Sequence, residues 1–98
     1  METKEFIQMR INQCRYMLSL LEQELVFPVK SDQDELLMER NEYAGKINAL
    51  DVALRLVDND NFSKELTKYG ESRLSGSTPS AFEQAIYETC EELAILCS

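Results

Sequence analysis

Three cysteines, eighteen carboxylates and no histidine set the chemistry open to this chain. Histidine is the commonest acid–base side chain and the commonest metal ligand, so its absence removes a Ser–His or Cys–His nucleophile pair. Cys14, Cys90 and Cys97 are odd in number and lack short paired spacing, which makes a poor disulfide framework and a poor zinc site. All three read as structural thiols, Cys14 on an apolar helical stripe where a thiol behaves as a small hydrophobe. Asp58-Asn59-Asp60-Asn61 opens like a calcium loop. Its sixth position is Ser63 rather than glycine and its twelfth is Tyr69 rather than glutamate, so a capped turn between helices is the better reading. No glycine-rich phosphate cradle is present, and no basic cluster interleaved with aromatics. The expectation is a protein that is not an enzyme and takes no cofactor and no metal.

The carboxylates outnumber the bases eighteen to ten, a net charge of −8. The excess is uneven. Residues 59–78 balance, whereas 79–98 hold Glu83, Glu88, Glu91 and Glu92 and no base at all. Such a segment repels nucleic-acid phosphates and suits a basic protein surface, so these four glutamates are the candidate protein-binding residues. Two rows, Glu35, Glu39 and Glu42, and Glu88, Glu91 and Glu92, have the spacing to imitate phosphates toward a nucleic-acid-handling protein. A solvated helix face is the simpler alternative.

The elements that carry these residues are written in two heptad runs. Ile7, Ile11, Cys14, Leu18, Leu21 and Leu25 form the first; Leu36, Arg40, Tyr43, Ile47, Leu50, Leu54 and Val57 form the second. Each keeps one side of a helix on a partner over about five or six turns. The first helix is predicted from about Thr3, a candidate cap, to Val26, ended by Pro28. The linker Phe27-Pro28-Val29-Lys30 is short enough to fold the next helix back beside it. Ser31 is the expected cap of a second helix running to about Val57, with Glu42–Lys46 and Asp51–Arg55 as surface ion pairs. Arg40 interrupts the second stripe and is expected either to fix register by pairing with Glu22 or Glu24, the preferred reading, or to snorkel to water near the hairpin's open end. Gly45 suits either a close helix crossing or a surface position.

Phe62, Leu66 and Tyr69 mark a third helix, about 60–69, closed by Gly70. Glu71–Ser77 is the expected loop. Thr78 and Pro79 are the expected cap and first position of a fourth helix reaching Cys97, with Phe82, Ile86, Cys90 and Leu93 on its apolar face. The fold class is therefore all-α: a single domain over 1–98, an antiparallel long-helix hairpin over 3–57 in coiled-coil style, and two shorter C-terminal helices. Leu18, Leu21, Leu50 and Leu54 should be among the most buried residues. Leu50, Val52, Leu54, Leu56 and Val57 girdle the second helix and are expected in core or dimer packing, since the first helix alone cannot cover them.

Functionally the pattern points to a non-catalytic protein-binding module, homodimeric, serving as an inhibitor or regulator of a larger protein. No apolar run is long enough for a bilayer and Met1–Glu5 lacks a signal-peptide pattern, so a cytoplasmic location without membrane or direct nucleic-acid binding is expected. The size, acidity and absence of catalytic residues resemble the profile of small inhibitors from phages and mobile elements, anti-CRISPR proteins among them. That resemblance implies an acidic, phosphate-mimicking inhibitor and rests on no motif. A structural coiled-coil assembly protein is the remaining alternative.

Overall fold

Twenty-four residues without glycine or proline form the first helix, α1 (Thr3–Val26), of a computed structural model that describes residues 2–26, 33–74 and 78–96. Its first backbone bond runs from the Phe6 amide to the Glu2 carbonyl, so Glu2 stands at the cap and Thr3 is already helical. The second helix, α2 (Gln33–Leu56), starts with Asp34 and Glu35 at the positive end of its dipole and ends with Arg55 at the negative end. The linker 27–30 and the Ser31 cap lie outside the described residues.

The heptad stripes do pack together as an antiparallel hairpin, and Arg40 Nε lies 3.6 Å from Glu22 Oε1 across the seam. The two intrahelical ion pairs do not form among the described residues. Lys46 instead sets its ammonium 4.8 Å from the centre of the Tyr43 ring.

A turn with hydrogen bonds from Asn59 N to Leu56 O and from Phe62 N to Asn59 O leads into α3 (Phe62–Ser72). The Asn59 side chain accepts the Asn61 amide at 2.8 Å, so 58–61 is a turn between helices as expected, but Asn61, the N-cap of α3, makes no side-chain capping bond. Gly70 does not close α3. The helix runs two residues further because the missing Cβ is used for packing: a side chain there would sit 2.9 Å from Cys90 Cβ. Glu71 and Ser72, expected in a loop, are helical, and 75–77 lie outside the described residues.

The last helix, α4 (Ala81–Leu96), begins later than Thr78-Pro79 suggests. Ser80 caps it through a reciprocal box in which its hydroxyl accepts the Glu83 amide and Glu83 Oε1 accepts the Ser80 amide, both at 3.2 Å. Proline one residue outside fits, because no donor is lost there.

α2 is the central element. α1 packs along one side of it, α4 along another, and α3 packs on α4 and lightly on α2. Gly45 makes the α2–α4 crossing close, since a Cβ there would run into the Phe82 carbonyl oxygen and the Ala85 side chain. Tyr69 ties α3 to α2 by donating to Asn48 Oδ1 at 2.6 Å, and Ser63 ties α3 to α4 by donating to the Ala94 carbonyl at 3.2 Å.

The core joins Ile7 and Ile11 of α1, Ala49, Leu50 and Ala53 of α2, Phe62 and Leu66 of α3, and Ile86, Cys90 and Leu93 of α4. Fully burying each of the larger aliphatics contributes about 1.5–3 kcal/mol. Leu50 and Leu21 are buried as expected, but Leu18 and Leu54 are only half-buried. The reason is α4: it covers the small-residue side of α2, so Ala49 and Ala53 become fully buried and Leu54 stays at the edge. Val52, Leu54, Leu56 and Val57 pack against the same core from within the chain, so these residues do not require a second copy.

Candidate functional site

The two described cysteines are closed to solvent. Cys14 and Cys90 are buried free thiols, and Cys97 lies outside the described residues. Burial pushes the Cys90 thiol up to about 11. It also raises Cys14, partly offset by the positive charges of Lys46 and Arg10. Neither forms a thiolate nucleophile near neutral pH. Among the described residues no three acidic or cysteine side chains converge to hold a metal ion, and no helix is long and apolar enough to cross a membrane.

The four glutamates of α4 are individually engaged. Glu83 belongs to the capping box. Glu88 accepts from Gln84 Nε2 at 3.0 Å. Glu91 is hydrogen-bonded to the Tyr87 phenol and, by that bond and its charge, holds Tyr87 above the ordinary tyrosine range. Glu92 receives Arg10 Nη1 at 3.0 Å, a base brought from α1 that the local sequence does not supply. Glu88, Glu91 and Glu92 remain exposed and form an acidic strip on the outside of α4.

A second surface comes from the hairpin itself. α4 begins over Gly45, so the hairpin tip, residues 16–26 and 34–44, extends beyond that crossing as a two-helix arm, with Glu42 and Tyr43 at its root still meeting α4 and the main core. Its own core is thin: Leu21 and Leu36 are buried, Leu18 and Leu25 half-buried, and none of them joins the main core. Tyr16, Met17, Leu20, Leu37 and Met38 are exposed there, Tyr16 at 66% and Met38 at 55%. A recess of about 190 Å³ lined by Glu42, Lys46, Ala81, Gln84, Ala85 and Glu88 marks where the covered side of α2 gives way to the open one.

A shallow groove between α3 and α4, lined by Lys64, Thr67, Lys68, Ala94 and Ile95, is open to solvent and gathers no reacting groups.

The arm residues were not singled out by sequence reasoning. One signal was available: Met9, Tyr16 and Leu20 recur at helical spacing on the side of α1 opposite Ile7, Ile11 and Leu18, giving the helix a second apolar side. The candidate glutamates, by contrast, are brought onto one helix, with Glu83 at its cap and the other three along its exposed side. No protein-family model, curated protein or solved structure matches the chain.

Proposed function

We propose that this chain is a non-catalytic protein-binding module that holds a larger protein through the two-helix arm. The observation that carries the reading is the number of large hydrophobics exposed at the tip: Tyr16, Met17 and Leu20 on α1 and Leu37 and Met38 on α2. Single exposed hydrophobics are ordinary on a soluble protein, but several grouped on one projecting element mark an interaction surface. The base of the molecule acts as the scaffold: its core holds the two helices in register, so the arm is ordered before a partner arrives. Pre-ordering lowers the entropy cost of association.

A second reading places binding on the acidic strip of α4, where exposed Glu88, Glu91 and Glu92 would imitate phosphates toward a nucleic-acid-handling protein. Its specific support is that these carboxylates lie along one exposed helix side in a segment with no base of its own. The two readings separate in one experiment. Tagged wild type, an arm variant (Leu20→Glu, Leu37→Glu) and a strip variant (Glu88→Gln, Glu91→Gln) are used for affinity capture from the native cell. A protein retained by wild type and by the strip variant but lost by the arm variant supports the arm. Loss with the strip variant alone overturns it in favour of the acidic strip. Both variants change exposed residues, so their melting temperatures should match wild type.

A further inference from the structure

α1 carries two heptad stripes, and α2 takes up only one of them. Among the described helices α1 packs on α2 alone, through the stripe of Ile7, Ile11, Cys14, Leu18 and Leu21. Successive residues of a helix are about 100° apart, which places Met9, Gln13, Tyr16 and Leu20 within about 60° of one another and about 140–180° from Leu18. All four are exposed, Tyr16 at 66%. With Phe6, half-buried at one end, and Gln23, exposed at the other, they keep the alternating spacing of three and four that a second coiled-coil seam requires. This seam is about 26 Å long at 1.5 Å per residue, and none of its six residues is charged.

We propose that a second copy of this chain covers the outer stripe, giving an antiparallel two-fold dimer of α1 helices. The stripe fits itself when reversed. In the antiparallel register Met9 meets the second copy's Leu20 and Gln13 meets its Tyr16, and the same pairs recur across the two-fold axis. The two apolar layers flank two polar ones, in which the Gln13 amide and the Tyr16 hydroxyl satisfy each other. Opposed helices also set their macrodipoles head to tail. Arg10 and Met17 run along one flank of the stripe and Asn12 and Ser19 along the other, so no like charges meet between Met9 and Leu20. A parallel pair would stack Gln13 on Gln13 and Tyr16 on Tyr16 with the dipoles aligned. The contact is one helix wide, smaller than a standard interface, so the dimer forms in the micromolar range. The inference goes beyond the arm reading: it gives the α1 share of the exposed tip to a second copy and leaves Leu37 and Met38 of α2 to the larger protein.

The test is sedimentation velocity of the full chain from about 5 to about 500 μM, over which the mass should pass from monomer to dimer. Met9→Lys or Leu20→Glu alone sets two charges against apolar neighbours and should weaken the dimer at least about tenfold, with circular dichroism unchanged because both positions are exposed. An equimolar mixture of the two variants places the new ammonium opposite the new carboxylate in one layer and leaves Leu20 on Met9 in the other, so the dimer should return. A chain that stays monomeric throughout overturns the proposal in favour of a foreign helix on the stripe, and a dimer indifferent to both changes overturns it in favour of another face. A mixture no tighter than its components overturns the antiparallel register. Capture from the native cell is read separately. A monomeric chain that still loses its partner with the arm variant overturns this inference and leaves the arm reading standing. A dimer restored by mixing, with capture that ignores the arm variant, supports this inference and removes the arm reading.

Discussion

The base and the tip of the hairpin are built from the same two heptad runs, yet they end as different materials. At the base, Ile7, Ile11, Leu50 and Ala53 meet residues from α3 and α4 and lose essentially all contact with water. At the tip, stripe residues of the same kind have only each other, and Leu18 and Leu25 stay half-buried. A two-helix seam can shield one side of each helix and no more. The difference teaches that the pattern determines pairing, while burial is decided by how many neighbours arrive.

Four measurements would break or sharpen this contrast. The largest effect belongs to the base: Leu50→Ala leaves a cavity that four helices cannot close, costing about 2–5 kcal/mol in denaturant unfolding, against about 2 kcal/mol or less for Leu21→Ala in the arm. Equal costs would abolish the distinction. Next is Gly45→Ala. In a free helix the change gains up to about 1 kcal/mol, but here the new methyl meets the Phe82 backbone oxygen, and crowding of that kind costs about 1–3 kcal/mol. Net destabilisation is expected; a more stable variant would mean that the crossing is looser than described.

The third is a pH effect confined to the base. The Cys90 thiol is raised from 9.0 to about 11 by burial. Between those values the unfolded thiol ionises while the folded one keeps its proton, so the unfolded state binds fewer protons and stability falls as pH rises. Below pH 9.0 the contribution is complete. Melting temperature should decline across this window and decline less steeply in Cys90→Ala; identical slopes would show that the site is wetter than its burial implies. The smallest effect is Arg40→Ala in the arm. Both partners of its ion pair are about half exposed, so only about 0–1 kcal/mol is expected. A larger loss would mark Arg40 as a fixed point of the hairpin register.

The hairpin, the end of α1 at Val26 and the pairing of Arg40 were legible because a heptad stripe and a proline leave clear marks in a sequence. The α4 seat was harder to see. It is made by Gly45, Ala49 and Ala53, spaced by four, and small residues carry little weight in an apolar pattern although they permit the closest approach. Gly70 misled for a related reason: a glycine near a helix end suggests a cap, and only the neighbouring Cys90 shows that it serves packing instead. The start of α4 moved from Thr78 to Ser80 because a reciprocal box with Glu83 satisfies two amides at once. The arm's exposure was legible only in part, through the second apolar side that Tyr16 and Leu20 give α1; Met17 and Met38 stay exposed only because of the place where α4 begins.

The Gly45 crossing also bears on how the chain folds in time. α1–α2 and α3–α4 are pairs of chain neighbours, whereas α2 and α4 join positions some forty residues apart, such as Gly45 and Ala85. Closing the longer loop costs more entropy, so the two hairpins form early and their docking comes late. A change at the crossing should then act after the rate-limiting barrier. In a chevron plot, Gly45→Ala should steepen escape from the native state, with the unfolding arm faster and the refolding arm nearly unmoved, a φ-value close to zero. A φ near one would place the docking of the hairpins in the nucleus. On the late-docking view, the lifetime of the folded protein is set where α4 meets the glycine-thin side of α2.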